Sequence, residues 1–274
     1  MGTRARNVLI DNDNNFTGET ISQDVDNILP FLRYVYKFSN SQRITFNYST
    51  SSSQPSLTQL QPVRDNTNPN NLVVGNPDLV PNYSHNFNAF YNKWNALEQS
   101  YVWASAYMNY TNDAFSNNIT YLPDGRTVSQ SINVDDNING GLFMGGGLPV
   151  FKVLRLDPRV DLNYSKFNSL INQQENTTEN LGVGGNLDLG LRSDTIEVKI
   201  GVSYRYTVPK SSLSIGANQP YTVQSYSAEV FFELPWRFFI ESDAAYTINS
   251  QRADGFNVSP LIWNAKLSKR FLET

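Results

Sequence analysis

The sequence predicts an all-β protein: an antiparallel up-and-down sheet of about 11 or 12 strands that crosses a membrane as a β-barrel wall. Three observations lead there. Apolar and polar residues alternate with period 2 over most of the chain, and helical periodicity is nearly absent. The alternating segments often run to ten residues or more. A tilted strand needs about 9–11 to cross a bilayer, whereas strands of ordinary sheets run about 5–6. Finally, short and long connections interleave, which puts every tight turn at one end of the sheet and every long loop at the other.

Each element follows from its own residues. Leu32, Tyr34, Tyr36 and Phe38 alternate with Arg33, Val35 and Lys37, and residues 39–42 turn the chain into Ile44, Phe46 and Tyr48. Val160, Leu162 and Tyr164 oppose Arg159, Asp161, Asn163 and Ser165. The clearest hairpin sets Leu181, Val183, Leu187, Leu189 and Leu191 beside Ile196, Val198, Ile200, Val202, Tyr204 and Tyr206, joined by the turn Arg192–Thr195. Tyr226, Ala228, Val230 and Phe232 follow, then Phe238, Ile240, Ala244 and Tyr246, and last Leu261, Trp263, Ala265, Leu267 and Phe271. Further short connections are read at 95–97, 148–153 and 234–237, and long polar ones at 52–82, 112–127, 168–175, 208–220 and 249–258. Tyr36, Phe38, Trp94, Tyr110, Trp236, Phe238 and Trp263 near strand ends are expected to form interfacial girdles.

Composition narrows the function. Aromatic residues make up 13 %, too many for a disordered chain. A net charge of −4 and the lack of a basic stripe argue against nucleic acid as a partner. With no cysteine and one histidine, His85, thiol catalysis, thiolate zinc sites and multi-histidine metal sites are excluded. No run of 18 apolar residues exists, so no membrane-spanning helix is expected. The start, Met1–Arg6, is basic but lacks the apolar stretch of a signal peptide.

The segment 52–82 carries a more specific signal. It holds Pro55-Ser56-Leu57-Thr58-Gln59-Leu60-Gln61-Pro62 and then Gly75-Asn76-Pro77-Asp78-Leu79-Val80-Pro81, after a strand ending Asn47-Tyr48-Ser49. This order resembles the barrel of TonB-dependent outer-membrane receptors, most closely the Bacteroidota branch. The run Leu261–Phe271 looks like that family's third strand from the end. The resemblance implies a barrel of 22 strands with a plugged lumen, of which residues 1–274 form a single barrel segment without the plug domain and final strands. It also implies partners: the lipid of the bacterial outer membrane, the TonB complex acting through the plug, an imported nutrient (a metal chelate, oligosaccharide or peptide) and a surface lipoprotein. No cofactor is implied.

Candidate functional residues are the charges on the polar face: Asp161, Asp188, Glu197, Lys199, Arg205, Glu229, Glu241 and Asp243. They would set selectivity along a passage, or only pair across strands and against the plug. Gly75, Asn76, Pro77, Asp78, Leu79 and Pro81 are expected to be structural, a loop re-entering the barrel. Asp11–Asn15 with Glu19 has calcium-loop spacing but lacks the central glycine, and a solvated loop is expected. His85 is expected at an interface, at a strand end. Gly140, Gly141, Gly145, Gly146 and Gly147 lack the Lys-Ser/Thr of a phosphate loop and are expected to allow bending or the close approach of other backbone, such as the plug. No catalytic constellation and no metal site are proposed. Two further readings stay open: a self-contained small outer-membrane barrel, as porin or hydrolase, and a soluble β-sandwich binding module.

Overall fold

In hydrocarbon every backbone N–H and C=O must find a partner within the protein, so a chain of alternating strands pairs each strand with its neighbours. The computed structural model describes residues 1–13, 20–62, 64–65, 67–213, 218–250 and 257–271, with the side chains of 10–13, 20–23 and 65 outside the description. The strands are β1 (Gly2–Asp13), β2 (Thr20–Ser39), β3 (Gln42–Ser53), β4 (Arg64–Asp65), β5 (Asn71–Val74), β6 (Asn82–Asn95), β7 (Ser100–Asn112), β8 (Ala114–Tyr121), β9 (Thr127–Val134), β10 (Asn137–Phe151), β11 (Leu154–Ile171), β12 (Gln174–Arg192), β13 (Ile196–Ser211), β14 (Tyr221–Leu234), β15 (Phe238–Ser250) and β16 (Leu261–Lys269). The sheet runs β1-β2-β3-β6-β7-β10-β11-β12-β13-β14-β15-β16, every pair along this path antiparallel. Among the described residues twelve strands therefore form the wall, and β4, β5, β8 and β9 belong to its loops.

Register puts like with like. Leu187 faces Val202, Leu189 faces Ile200 and Leu191 faces Val198, while Asp188 faces Gly201 and Arg192 faces Glu197. The apolar side is left uncovered: Val160, Leu187, Ile200, Val202 and Tyr204 are 46–58 % exposed, while on the other side Asp161 is 7 % exposed and the side chains of Glu197, Lys199 and Glu229 are 46–57 % exposed. A water-soluble sheet would bury that side; an uncovered apolar face opposite a charged one is the arrangement of a barrel with lipid outside and a polar lumen. From Ile196 to Val208 the outward face of β13 carries only apolar and tyrosine side chains. Those residues cover about 40 Å of strand, or roughly 28 Å of height at the tilt of such barrels. Beyond them the outward row becomes Lys166, Glu179 and Lys210.

The tight turns gather at one end: 40–41, 96–99, 152–153, 193–195 and a 3-10 turn at Pro235–Arg237. The expected loop at 168–175 is instead the two-residue turn Asn172–Gln173 between strands of 18 and 19 residues. Both turn residues have positive φ, 49° and 65°, as in a type I′ hairpin. Gln173 gives none of the Gly signal that marks such turns. The expected loop at 112–127 holds its own hairpin, β8–β9, which reaches to Val134. β5 joins that hairpin through parallel pairing with β9.

The buried apolar core lies in these loops, not in the wall. Among the described residues it consists of Leu60, Leu72, Leu79 and Ala114. Leu60 sits on the one-turn helix α1 (Leu57–Leu60), started by a capping box between Ser56 and Gln59.

Aromatic residues named for the girdles pair near the strand ends. Tyr36 and Phe38 meet edge to face at 4.8 Å by one turn. At the loop end His85 shares a 2.9 Å hydrogen bond with the Tyr48 hydroxyl, and its ring neighbours Tyr83 and Tyr110. Trp94 departs from the expectation. It shares the inward parity of β6 and stacks on Tyr101 at 6.4 Å, because outward Tyr91 and Lys93 fix the alternation.

Candidate functional site

The inward face of β10–β16 holds all eight charged candidates, and the structure sorts them into two groups. The first lies toward the loop end. Asp161 on β11 is opposite Gly184 on β12, and Gly184 is opposite Arg205 on β13. The Arg205 Nη2 donates to Asp161 Oδ2 at 2.8 Å over the glycine, and Asn163 Nδ2 donates to the same oxygen at 3.0 Å. A Cβ on Gly184 would stand 2.9 Å from Asp161 Oδ1, so only glycine leaves room for the carboxylate.

The second group surrounds an open groove of about 400 Å³ toward the turn end. Glu197, Lys199, Glu229, Glu241 and Asp243 all line it. Glu229 and Asp243 are directly opposed across β14 and β15, a like-charge pairing that disfavours the strand contact. Lys199 faces Glu229 from β13 with Nζ 4.0 Å from Oε1, and Lys266 Nζ lies 3.1 Å from Glu241 Oε2. Asn264 donates to Asp243 at 2.8 Å, and Arg192 Nε stands 3.7 Å from Glu197. Asp188 lies between the groups, accepting from Asn186 at 3.1 Å and covering Gly201. The arrangement is a water-facing ladder of ion pairs and amides, with carboxylates outnumbering lysines in the groove.

The loop segment Gly75–Pro81 is anchored away from this face. Asn76 N donates to Gln59 O at 2.6 Å and its side chain donates to Ser131 O at 3.0 Å. Asn133 of β9 uses one amide as a strand would use its backbone: Oδ1 accepts from Val80 N and Nδ2 donates to Val80 O, both at 2.9 Å. Asp78 N is held by Asn76 Oδ1 at 3.0 Å, and Leu79 is fully buried. A Cβ on Gly75 would collide with the Gln61 carbonyl, which explains the glycine. Asp11–Asn15 and Glu19 lie outside the described side chains.

Sequence reasoning missed a second feature of the inward face. Tyr101, Trp103 and Tyr107 of β7 are opposite Gly147, Gly145 and Gly141 of β10, and each ring lies over its glycine. Gly141, Gly145 and Gly147 leave room for these rings, and Gly147 for Arg155 as well. Arg155 stacks over Tyr101 at 5.0 Å and Arg159 over Trp103 at 5.5 Å. Tyr107 stacks on Phe143 at 6.0 Å. The available signal was aromatic residues at positions of polar parity facing a run of glycines.

A search of curated proteins found no match. Among solved structures, one similar chain is OmpT (in-vitro folded), an outer membrane protein of Vibrio cholerae. It has 8 % sequence identity and a TM-score of 0.37, and the match covers 98 % of this chain and 91 % of that one. Residues 1–274 match a family throughout, and with its lipid-facing apolar strands and polar inner wall the chain belongs to the outer membrane protein beta-barrel family.

Proposed function

We propose that this chain is part of the barrel of a TonB-dependent outer-membrane receptor, where its inward face lines the path of an imported hydrophilic nutrient. The observation that carries the passage is the sidedness of the wall: an uncovered apolar face on one side and a ladder of charges and amides on the other. The ordered loop motif 55–81 supports the receptor assignment. So do the two outer edges of the sheet: among the described residues β1 and β16 pair with no strand beyond them. An edge in hydrocarbon leaves several unpaired backbone groups, each costing several kcal/mol, and strands from a larger barrel would satisfy them. The TonB complex would act on the plug of the whole receptor, and a surface lipoprotein would deliver the nutrient. The test is an immunoblot of fractionated native cells with an antibody to residues 55–82. An outer-membrane band several times heavier than 31.0 kDa is expected. A band at 31.0 kDa would contradict it.

A second reading has its own support. The wall has twelve strands, an even number, so β1 and β16 are oriented to pair antiparallel and close a small passive pore. That pore would conduct ions in planar bilayers without any energy-coupling partner. A hydrolase version of the small barrel is less well served, because His85 is held by Tyr48 in the outward aromatic cluster and not by a serine.

A further inference from the structure

Five cations that are scattered in the sequence come together on the inward side of β1, β2 and β3. Arg33, Lys37 and Arg43 point inward, because the alternate row faces out: Tyr36 is opposite Ile44, and Ile44 is opposite Tyr91. Arg4 and Arg6 of β1 share the parity of Gly2, which is opposite inward Phe31. All five are exposed. We propose that this face is a binding track for a multivalent oxyanion, a solute bearing phosphate or carboxylate groups. This rests on the reading that the inward face lines a solute passage, and it names the charge and the chemistry of the solute.

These charges differ from those on the rest of the wall. On β11–β16 five inward cations, Arg155, Arg192, Lys199, Arg205 and Lys266, each stand within 4.0 Å of a carboxylate. Among the described residues none of the five on β1–β3 has such a partner. The described inward positions of β1, β2, β3, β6, β7 and β10 hold no carboxylate at all. Lys37 and Arg43 are directly opposed across β2 and β3, a like-charge pairing that disfavours the strand contact. An anion lying between them relieves that repulsion. A surface lined by one sign of charge also gathers counter-ions from solution.

The stripe runs along the strands. From Lys37 near the turns it passes Arg33, then Arg4 opposite Leu29, and ends at Arg6 opposite Asn27. That is about 33 Å of strand at roughly 3.3 Å per residue, with a cation at each step of about 7–13 Å. Rows of arginine and lysine are the chemistry of anion pores. Four of the five are arginines, whose planar fork of N–H groups matches an oxyanion in bidentate fashion. Two of them are held in place without using up their donors. Arg43 Nε donates to Asn92 Oδ1 at 3.0 Å, and the Arg4 guanidinium stacks on Phe31 at 5.2 Å. Thr45 and Asn47, inward between Arg43 and the loop end, add neutral donors.

The test uses the full chain in lipid vesicles with one cysteine, V35C, which lies inward between Arg33 and Lys37. Where V35C fails to fold, T45C directly opposite supplies the same readout. Labelling by a membrane-impermeant maleimide is timed in tripolyphosphate, in citrate and in sodium chloride, all at one ionic strength so that screening is equal. We expect the cysteine to be labelled, and at least one of the two oxyanions to slow labelling by about fivefold or more relative to chloride. Whichever of them protects names the oxyanion. R33Q combined with K37Q should remove the protection, and K210Q, which alters an outward cation, should keep it. Labelling at the same rate in all three salts, or protection that survives R33Q with K37Q, overturns the oxyanion track and leaves the passage standing. A cysteine that the maleimide does not reach in any salt overturns both.

Discussion

Asp161 and Arg205 sit on strands that do not touch, yet their carboxylate and guanidinium meet at 2.8 Å across Gly184 of the strand between them. The contact ties three strands together on the lumen side. It exists because the middle strand has no side chain at that point.

Removing the arginine leaves a carboxylate that is 7 % exposed with only Asn163 to satisfy it. R205A should lower stability by about 1–2 kcal/mol, the value of a charge-assisted hydrogen bond discounted for a half-exposed guanidinium. D161N in that background should recover part of the loss. G184A should act like R205A by pushing the carboxylate aside. Urea midpoints of the refolded protein in detergent decide it, and a G184A midpoint equal to that of the unaltered chain would refute the steric argument.

The external loop should loosen independently of the wall. Leu60 and Leu79 are its fully buried side chains, and Asn133 clamps Val80 at both backbone atoms. L79A removes packing worth about 2–4 kcal/mol locally. Limited proteolysis should then cut within 57–81 at least tenfold faster while the barrel keeps its heat-modifiable migration on gels. Loss of that migration would mean that loop and wall unfold together.

Lys199 offsets the opposed carboxylates Glu229 and Asp243. K199Q should therefore destabilise the protein more at 0.01 M salt than at 1 M, where the screening length falls from about 30 Å to 3 Å. The effect should be on the order of 0.5–1 kcal/mol, since these groups are half-exposed. E229Q should cancel it. An effect independent of salt would point to packing.

At the tip of the β8–β9 hairpin, Arg126 bonds Asp124 at 2.7–2.8 Å through its guanidinium and at 3.1 Å through its N–H. Those bonds hold the Asp124 carboxyl below its ordinary range. A lowered carboxylate contributes stability that is fully present above the unfolded value and is lost as pH falls through the folded one. The protection factors of the Leu122 and Gly125 amides, which close the turn, should stay flat at neutral pH and fall only in acid, once the pH dependence of intrinsic exchange is divided out. D124N should remove the pH dependence.

Much of the wall was legible because one physical rule governs it. Lipid on one side and water on the other force period 2, so the Leu181–Leu191 and Ile196–Tyr206 hairpin could be read with its two faces and its turn. The charged candidates could be read from the same parity. Three features could not. Asn172–Gln173 makes a tight turn without glycine, so composition read it as a loop. The sequence places Trp94 in the girdle and gives Trp103 no role, because aromatics suit both a lipid interface and a lumen, and only register separates them. The loop core of Leu60 and Leu79 depends on contacts with the β8–β9 hairpin, which period 2 does not encode.

The most direct test of the wall itself exploits a chain with no cysteine of its own. Single cysteines are placed in turn at residues 198–206 of β13 and exposed to a membrane-impermeant maleimide in reconstituted vesicles. The account predicts labelling at 199, 201, 203 and 205 and protection at 198, 200, 202, 204 and 206. Uniform labelling, or labelling of the opposite set, would contradict a lipid-facing apolar side with a hydrated charged side.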